Sequence, residues 1–353
     1  MSGKETSKPP PIIYIYHRLY GSFVSVSHFI KKYSPTVEMP SLSFEQTKDS
    51  RPVAIVRGGE EEGKVLFLHE GDVKGNRKNQ SINPNNYSTE LRTLKPVERV
   101  KLIARLEEAR DKGLDVDQLI GETAIGKQLY ERIIADETSS KDVALESGSF
   151  ELLPSADPKK RDVFYIAGAS GSGKSYIAKG LGEYYQKLFP ERSVYLISKL
   201  AEDSGTLDKM KPPAKRINIQ SLVDDFPDLD EFKNCMVIFD DYDTFTGAAE
   251  KVVHKLIDDL ATMGRHTGTT MLCLSHYLTN YKKTRLLLNE ATHLVLYPMA
   301  TSFHALSYLL KTHVGMSKDD VRDIRKLGRW VCVQKNYPQI LISAHQARML
   351  IRD

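Results

Sequence analysis

Cysteine is scarce in this chain of 353 residues: Cys235, Cys273 and Cys332 stand far apart, each inside an apolar, strand-like run. Such spacing argues against a disulfide framework or a zinc site and reads as three buried thiols in a reducing compartment. No apolar run approaches the roughly 18 residues that a membrane-spanning helix requires. The N-terminus breaks into Pro9-Pro10-Pro11 where a secretory signal would carry its apolar core. A strong charge of one sign is missing too: 50 Lys and Arg against 46 Asp and Glu leave +4, too mild for net charge to demand an anionic partner. No internal repeat is visible. These absences leave a soluble, intracellular globular protein as the expectation.

What is present suffices for about two domains, with 41% hydrophobic and 27% charged residues. Residues 1–11 are polar and proline-rich and are expected to form a disordered leader. A small α+β domain of unassigned role is expected over 12–147. It holds apolar-aromatic runs at 12–16 and 22–30, and its Tyr14, Tyr16, Tyr20 and Phe23 read as core residues. "VAIVRGGEEEGKVLFLH" (53–69) reads as two strands around a glycine-rich turn, and a helical pattern runs from Pro96 to Arg110. The polar stretch "ADETSSKDVALESGS" (135–149) places a boundary near Gly148.

From 148 to 353 strand and helix alternate, with strands near 162–167, 193–197, 235–240, 269–275 and 292–297. Helices are expected from Lys174, over 248–263 and over 302–312. That alternation predicts an α/β fold with a mainly parallel sheet covered on both faces. Before the fourth strand, Val252, Val253, Leu256, Leu260 and Met263 recur at helical spacing, with Gly264 as the expected stop. "RWVCVQKNYPQILIS" (329–343) reads as strand, turn and strand, extending the sheet or capping one edge.

"GASGSGKS" (168–175) follows the apolar run Val163–Ala167 directly and opens a helix. Glycines at 168, 171 and 173 let the backbone curl until consecutive N–H groups face one anion, and the helix beginning at Lys174 adds the positive end of its dipole. This is the P-loop pattern in its required strand-to-helix context. Gly168, Ser170, Gly171, Ser172, Gly173, Lys174, Ser175 and Tyr176 are therefore the candidate nucleotide contacts. Lys174 would reach the β- and γ-phosphates of ATP, and the Ser175 hydroxyl would coordinate Mg²⁺. The loop alone leaves phosphate transfer, a timing switch and hydrolysis open.

"CMVIFDDYD" (235–243) adds an apolar strand ending in paired carboxylates. Asp240 suits the Mg²⁺ water shell and Asp241 an attacking water, which favours hydrolysis. Asp243 reads as a turn or helix-capping residue. No guanine-reading Asn-Lys-x-Asp occurs, and Arg and Lys are not gathered into a kinase-like lid.

Taken with those two motifs, "MGRHTGTTMLCLSHYLTNYKKTRLLLNEATHLVLYP" (263–298) resembles the genome-packaging ATPases of large DNA viruses, the poxvirus-type group of the FtsK–HerA superfamily. The resemblance covers about residues 148–345. It implies a RecA-like ATPase that works as a homo-oligomeric ring, with double-stranded DNA and capsid or vertex proteins as partners, at a viral assembly site in the host cytoplasm and in the virion. Residue by residue, Lys174 and Ser175 would hold nucleotide and metal, and Asp240 and Asp241 the metal and water. Arg265 occupies the Gly-Arg-basic position, read as lying just past a helix end where it could enter a neighbouring site; an exposed arginine near a helix end is the alternative. Arg285 is the second such candidate. His276 stands where the superfamily usually has a phosphate-sensing glutamine or asparagine, and an imidazole can also hydrogen-bond a phosphate or a water. Lys282, Lys283 and Arg285, flanked by Tyr277 and Tyr281, read as a basic loop able to track DNA phosphates or as a solvated cluster. A factor that uses ATP binding to organise assembly or secretion partners remains the alternative function, and a small-molecule kinase a third.

Overall fold

The computed structural model of the protein describes residues 40–70, 142–200, 202 and 205–350. The expected leader, the runs at 12–16 and 22–30 and the helix over 96–110 lie outside them.

Two sheets are built from these residues. Strands β1 (Ser41–Ser43), β2 (Ser50–Arg57) and β3 (Val65–His69) come first, and β2 and β3 form the expected antiparallel hairpin. After β4 (Asp142–Ala144), β5 (Ser149–Leu152) adds to the free edge of β2, so the smaller sheet has the order β1-β3-β2-β5.

The larger sheet starts with β6 (Val163–Ala167), followed by α1 (Lys174–Leu188), β7 (Val194–Ser198), β8 (Lys215–Arg216), α2 (Ile219–Asp224) and β9 (Met236–Asp240). Next come α3 (Gly247–Thr267), β10 (Thr270–Ser275), α4 (Tyr281–Glu290), β11 (His293–Leu296), α5 (Phe303–Leu309) and α6 (Lys318–Ile324). Strands β12 (Val331–Gln334), β13 (Ile340–Ser343) and β14 (Gln346–Met349) close the chain. The ten strands lie in the order β4-β14-β13-β12-β11-β6-β10-β9-β7-β8. From β11 to β8 every pairing is parallel; from β11 to β4 every pairing is antiparallel. The expected strand-turn-strand at 329–343 thus extends the sheet as β12 and β13, and β14 and β4 extend it further.

Alternation of side chains along each strand sorts the core into two faces. On β6, Val163, Tyr165 and Ala167 join the helices α3, α4, α5 and α6 through Val253, Leu256, Leu287, Leu306 and Val321. Phe164 and Ile166 point the other way, into a cluster with Ala178, Leu181 and Tyr185 of α1 and with Leu42, Val56, Leu66 and Phe150 of the smaller sheet. Each fully buried aliphatic or aromatic chain of this kind contributes about 1.5–3 kcal/mol, so strand β6, buried along its whole length, anchors both faces.

Three expectations need correction. Residues 40–70 and 142–350 belong to one compact unit, so Gly148 does not separate two domains here; β5 must pair with β2 to complete the small sheet, while β4 pairs with β14. Helix α3 runs through Gly264 to Thr267 and ends at Gly268, whose φ of 67° supplies the left-handed turn. Gly264 instead makes room for Arg161, whose guanidinium donates to Leu260 O at 2.5 Å and Ala261 O at 2.6 Å. Met263 falls off the apolar face and is 50% exposed.

Candidate active site

The carboxyl ends of the parallel strands share one edge, because Ala167 of β6 is level with Ser275 of β10 and Ser198 of β7 with Asp240 of β9. Open α/β sheets bind ligands beyond this edge. The loop 168–173 leaves β6 there and returns into α1. Gly171 (φ 73°) and Gly173 (φ 113°) take conformations that a side chain would strain. Gly168 lies against Tyr297 just after β11: a Cβ on it would come 2.5 Å from the ring. Helix α1 has no acidic residue in its first turn and no side-chain cap on its N-terminal amides, which leaves them available to an anion. This is a P-loop.

Lys174 is buried at its centre, with Nζ donating to Gly168 O at 3.0 Å. The same ammonium is 3.7 Å from Asp241 Oδ1 and 3.5 Å from His276 Nδ1. His276 Nε2 lies 3.1 Å from that same Asp241 oxygen. Asp241 reaches this position because its backbone is left-handed (φ 45°), a region that aspartate tolerates better than most residues, so the chain turns sharply as it leaves β9.

Asp240 is buried beside it. One oxygen, Oδ2, accepts from Ser198 Oγ at 3.0 Å, whereas Oδ1 is buried without a hydrogen-bond partner. Burial first, and then the neighbouring charge of Asp241, push the Asp240 carboxyl above the usual carboxylate range. An unpaired buried oxygen next to a second carboxylate fits a hydrated cation. Among the described residues no cluster of three or more His, Cys, Asp or Glu could hold a metal ion. The buried Asp240 oxygen with the Asp241 carboxylate beside it is the kind of donor set that Mg²⁺ uses, since it typically takes one or two carboxylates with phosphate and water oxygens.

Asp243 does more than make a turn. Its Oδ2 accepts from Ser275 Oγ (2.9 Å), His276 N (2.7 Å) and Tyr277 N (3.3 Å), tying the tip of β9 to that of β10. It does not cap α3, whose N-cap is Thr246.

The structure therefore brings Lys174, Asp240, Asp241 and His276 together with the P-loop. Ser170, Gly171, Ser172 and Ser175 lie on the loop and first turn of α1, and Tyr176 is exposed there. Arg265 is elsewhere. It is exposed in the last turn of α3, not past its end, on the approach to β10 and close enough to Arg161 for their charges to interact. That is the opposite edge of the sheet, about 20 Å away at ~3.3 Å per strand residue. Arg285 is exposed on α4, and Lys282, Lys283 and Arg285, expected as a basic loop, stand on that helix. Lys283 there is 2.5 Å from Glu250.

Sequence reasoning missed Ser198, Tyr297 and Arg329. Ser198 and Tyr297 close apolar runs level with the site, which is a legible signal; Arg329, a single arginine before β12, carries none. Its Nε donates to Ser172 O and its Nη2 to Gly171 O, each at 2.9 Å.

No protein-family model matches the chain. It is similar to uncharacterized protein V3 of Sputnik virophage, 29% identical over 231 residues that span 64% of this chain and 91% of that one. Among solved structures it is similar to the genome packaging NTPase B204 of Sulfolobus turreted icosahedral virus 2 in complex with AMPPCP, at 14% identity, TM-score 0.37, 53% of this chain and 98% of that chain. The cytoplasmic domain of the Thermomonospora curvata Type VII secretion ATPase EccC is similar at 15% identity, TM-score 0.38, 58% of this chain and 28% of that chain.

Proposed function

We propose that this chain hydrolyses ATP and uses the energy to move double-stranded DNA into a viral capsid, as one subunit of a homo-oligomeric ring at an assembly site in the host cytoplasm. The observation that carries this reading is the convergence of Lys174, Asp240, Asp241 and His276 on the P-loop. The similarity to a virophage protein fits a viral setting.

In this reading the loop amides and Lys174 bind the β- and γ-phosphates, which requires the ammonium to turn from Gly168 O towards the nucleotide. Asp240 and the Ser175 hydroxyl would hold Mg²⁺, which when bound neutralises charge on the phosphates. Asp241, oriented by His276, positions the attacking water and takes up its proton. Arg265 lies at the far edge of its own sheet, so it acts on a phosphate only in a neighbouring subunit; Arg285 is the second arginine for such a role. Among the described residues no helix is long and apolar enough to cross a membrane.

The test is ATP turnover by the full-length chain with and without duplex DNA, beside Lys174→Ala. Turnover that rises with DNA and vanishes in the variant supports the motor. Nucleotide binding without turnover supports an assembly or secretion factor, and phosphate on an added acceptor supports a kinase.

A further inference from the structure

Arg329 reaches the P-loop from more than 150 residues further along the chain. Gly328, at φ 119°, turns the backbone just before it, and Trp330, packed against the core, fixes the entry to β12 just after it. The guanidinium between them spans two successive loop carbonyls, Gly171 O and Ser172 O, with both donor distances 2.9 Å.

In a planar trans peptide the C=O and N–H point in opposite directions. Fixing the Gly171 carbonyl therefore sets the direction of the Ser172 N–H, which closes the turn onto Ala169 O at 3.2 Å. Holding the Ser172 carbonyl outward likewise aims the Gly173 N–H to the other side of the loop, into the anion cradle at the start of α1. With φ values of 73° and 113°, Gly171 and Gly173 have the backbone freedom that makes such an external brace useful.

We infer that Arg329 is a positioning residue for the phosphate-binding loop. It presets the loop amides for the polyphosphate of a nucleoside triphosphate and ties the antiparallel wing of the sheet to the nucleotide site. Its consequence for binding rests on the reading of this loop as a nucleotide site, whereas its bracing of the loop does not. Lysine cannot replace it, because an ammonium is a point charge and lacks the rigid fork that two neighbouring carbonyls require. Arg329 is itself exposed, so its removal opens no cavity in the core.

The experiment uses full-length wild type, Arg329→Ala and Arg329→Lys. MgATP affinity, kcat and thermal midpoint are measured, with backbone amide exchange of residues 168–175 in nucleotide-free protein. Both variants are expected to bind MgATP about tenfold more weakly, the effect of one hydrogen bond of ordinary net strength, with kcat changed less than about twofold. Their loop amides are expected to exchange faster before any nucleotide is added. Unchanged affinity in Arg329→Ala, or full rescue by Arg329→Lys, overturns the inference, as does a lowered thermal midpoint with unchanged affinity. A wild type that binds no ATP defeats the nucleotide reading alone; exchange then decides the brace, and equal loop exchange in all three proteins overturns it.

Discussion

His276 faces the carboxylate of Asp241 with one ring nitrogen, Nε2 at 3.1 Å, and the ammonium of Lys174 with the other, Nδ1 at 3.5 Å. A neutral imidazole with its proton on Nε2 satisfies both neighbours, donating to the acid and accepting from the lysine. His276→Phe removes both contacts and is expected to lower kcat at least tenfold while leaving MgATP affinity within about threefold. His276→Gln, which can still donate to Asp241, is expected to retain more activity. Steady-state kinetics of the two variants check this.

Asp243 holds the turn that carries His276. Asp243→Ala leaves Ser275 Oγ, His276 N and Tyr277 N without their shared acceptor. Loss of a charged acceptor costs about 1.5–3 kcal/mol. A thermal midpoint several degrees lower is expected together with reduced kcat. Asp243→Asn keeps an acceptor oxygen and is expected to recover most of the stability.

Burial raises the Asp240 carboxyl above its unfolded value, so the folded state binds that proton more tightly than the unfolded chain does. The stabilisation is full below the unfolded pKa of about 4 and is lost as pH rises through the folded one. At neutral pH the buried carboxylate is therefore a net cost. Asp240→Asn is expected to raise the thermal midpoint, measured with chelator and without nucleotide, while abolishing ATP turnover. A lower midpoint contradicts this.

His293 titrates in the opposite sense. Stacked on Phe164 with ring centroids 4.3 Å apart, it is pushed down to about 4, mainly by burial, with the Asp162 carboxylate opposing. The folded state therefore resists protonation. Stability is full above the unfolded value of about 6.5 and declines as pH falls towards 4, by up to about 3 kcal/mol. Chemical denaturation from pH 7 to 4 is expected to show that loss, and His293→Asn to flatten it.

Five strands of the parallel half, β6, β7, β9, β10 and β11, and the P-loop were legible because each of these strands is a short, mainly apolar run and α3 repeats its apolar positions at helical spacing. Strand β8, the two charged residues Lys215–Arg216, carries no such pattern. The end of α3 was misplaced because Gly264 serves a close approach by Arg161, and a glycine alone does not say whether it ends a helix or admits a neighbour. The joining of residues 40–70 to the unit that holds the larger sheet depends on long-range pairing between β2 and β5, to which local pattern is blind. Asp240, Asp241 and Lys174 announced themselves by motif. Arg329 did not, since its role exists only once β12 is laid beside β11 and the P-loop.

The most direct test of the central claim, that Asp241 governs cleavage of a nucleotide held by Lys174, is phosphate release from MgATP by wild type and Asp241→Asn at matched nucleotide occupancy. The expected result is turnover by the wild type and a variant that binds MgATP but releases phosphate at least a hundredfold more slowly, a barrier increase of about 2.7 kcal/mol or more. Equal rates in the two proteins, or no release by the wild type in any oligomeric state, would contradict it.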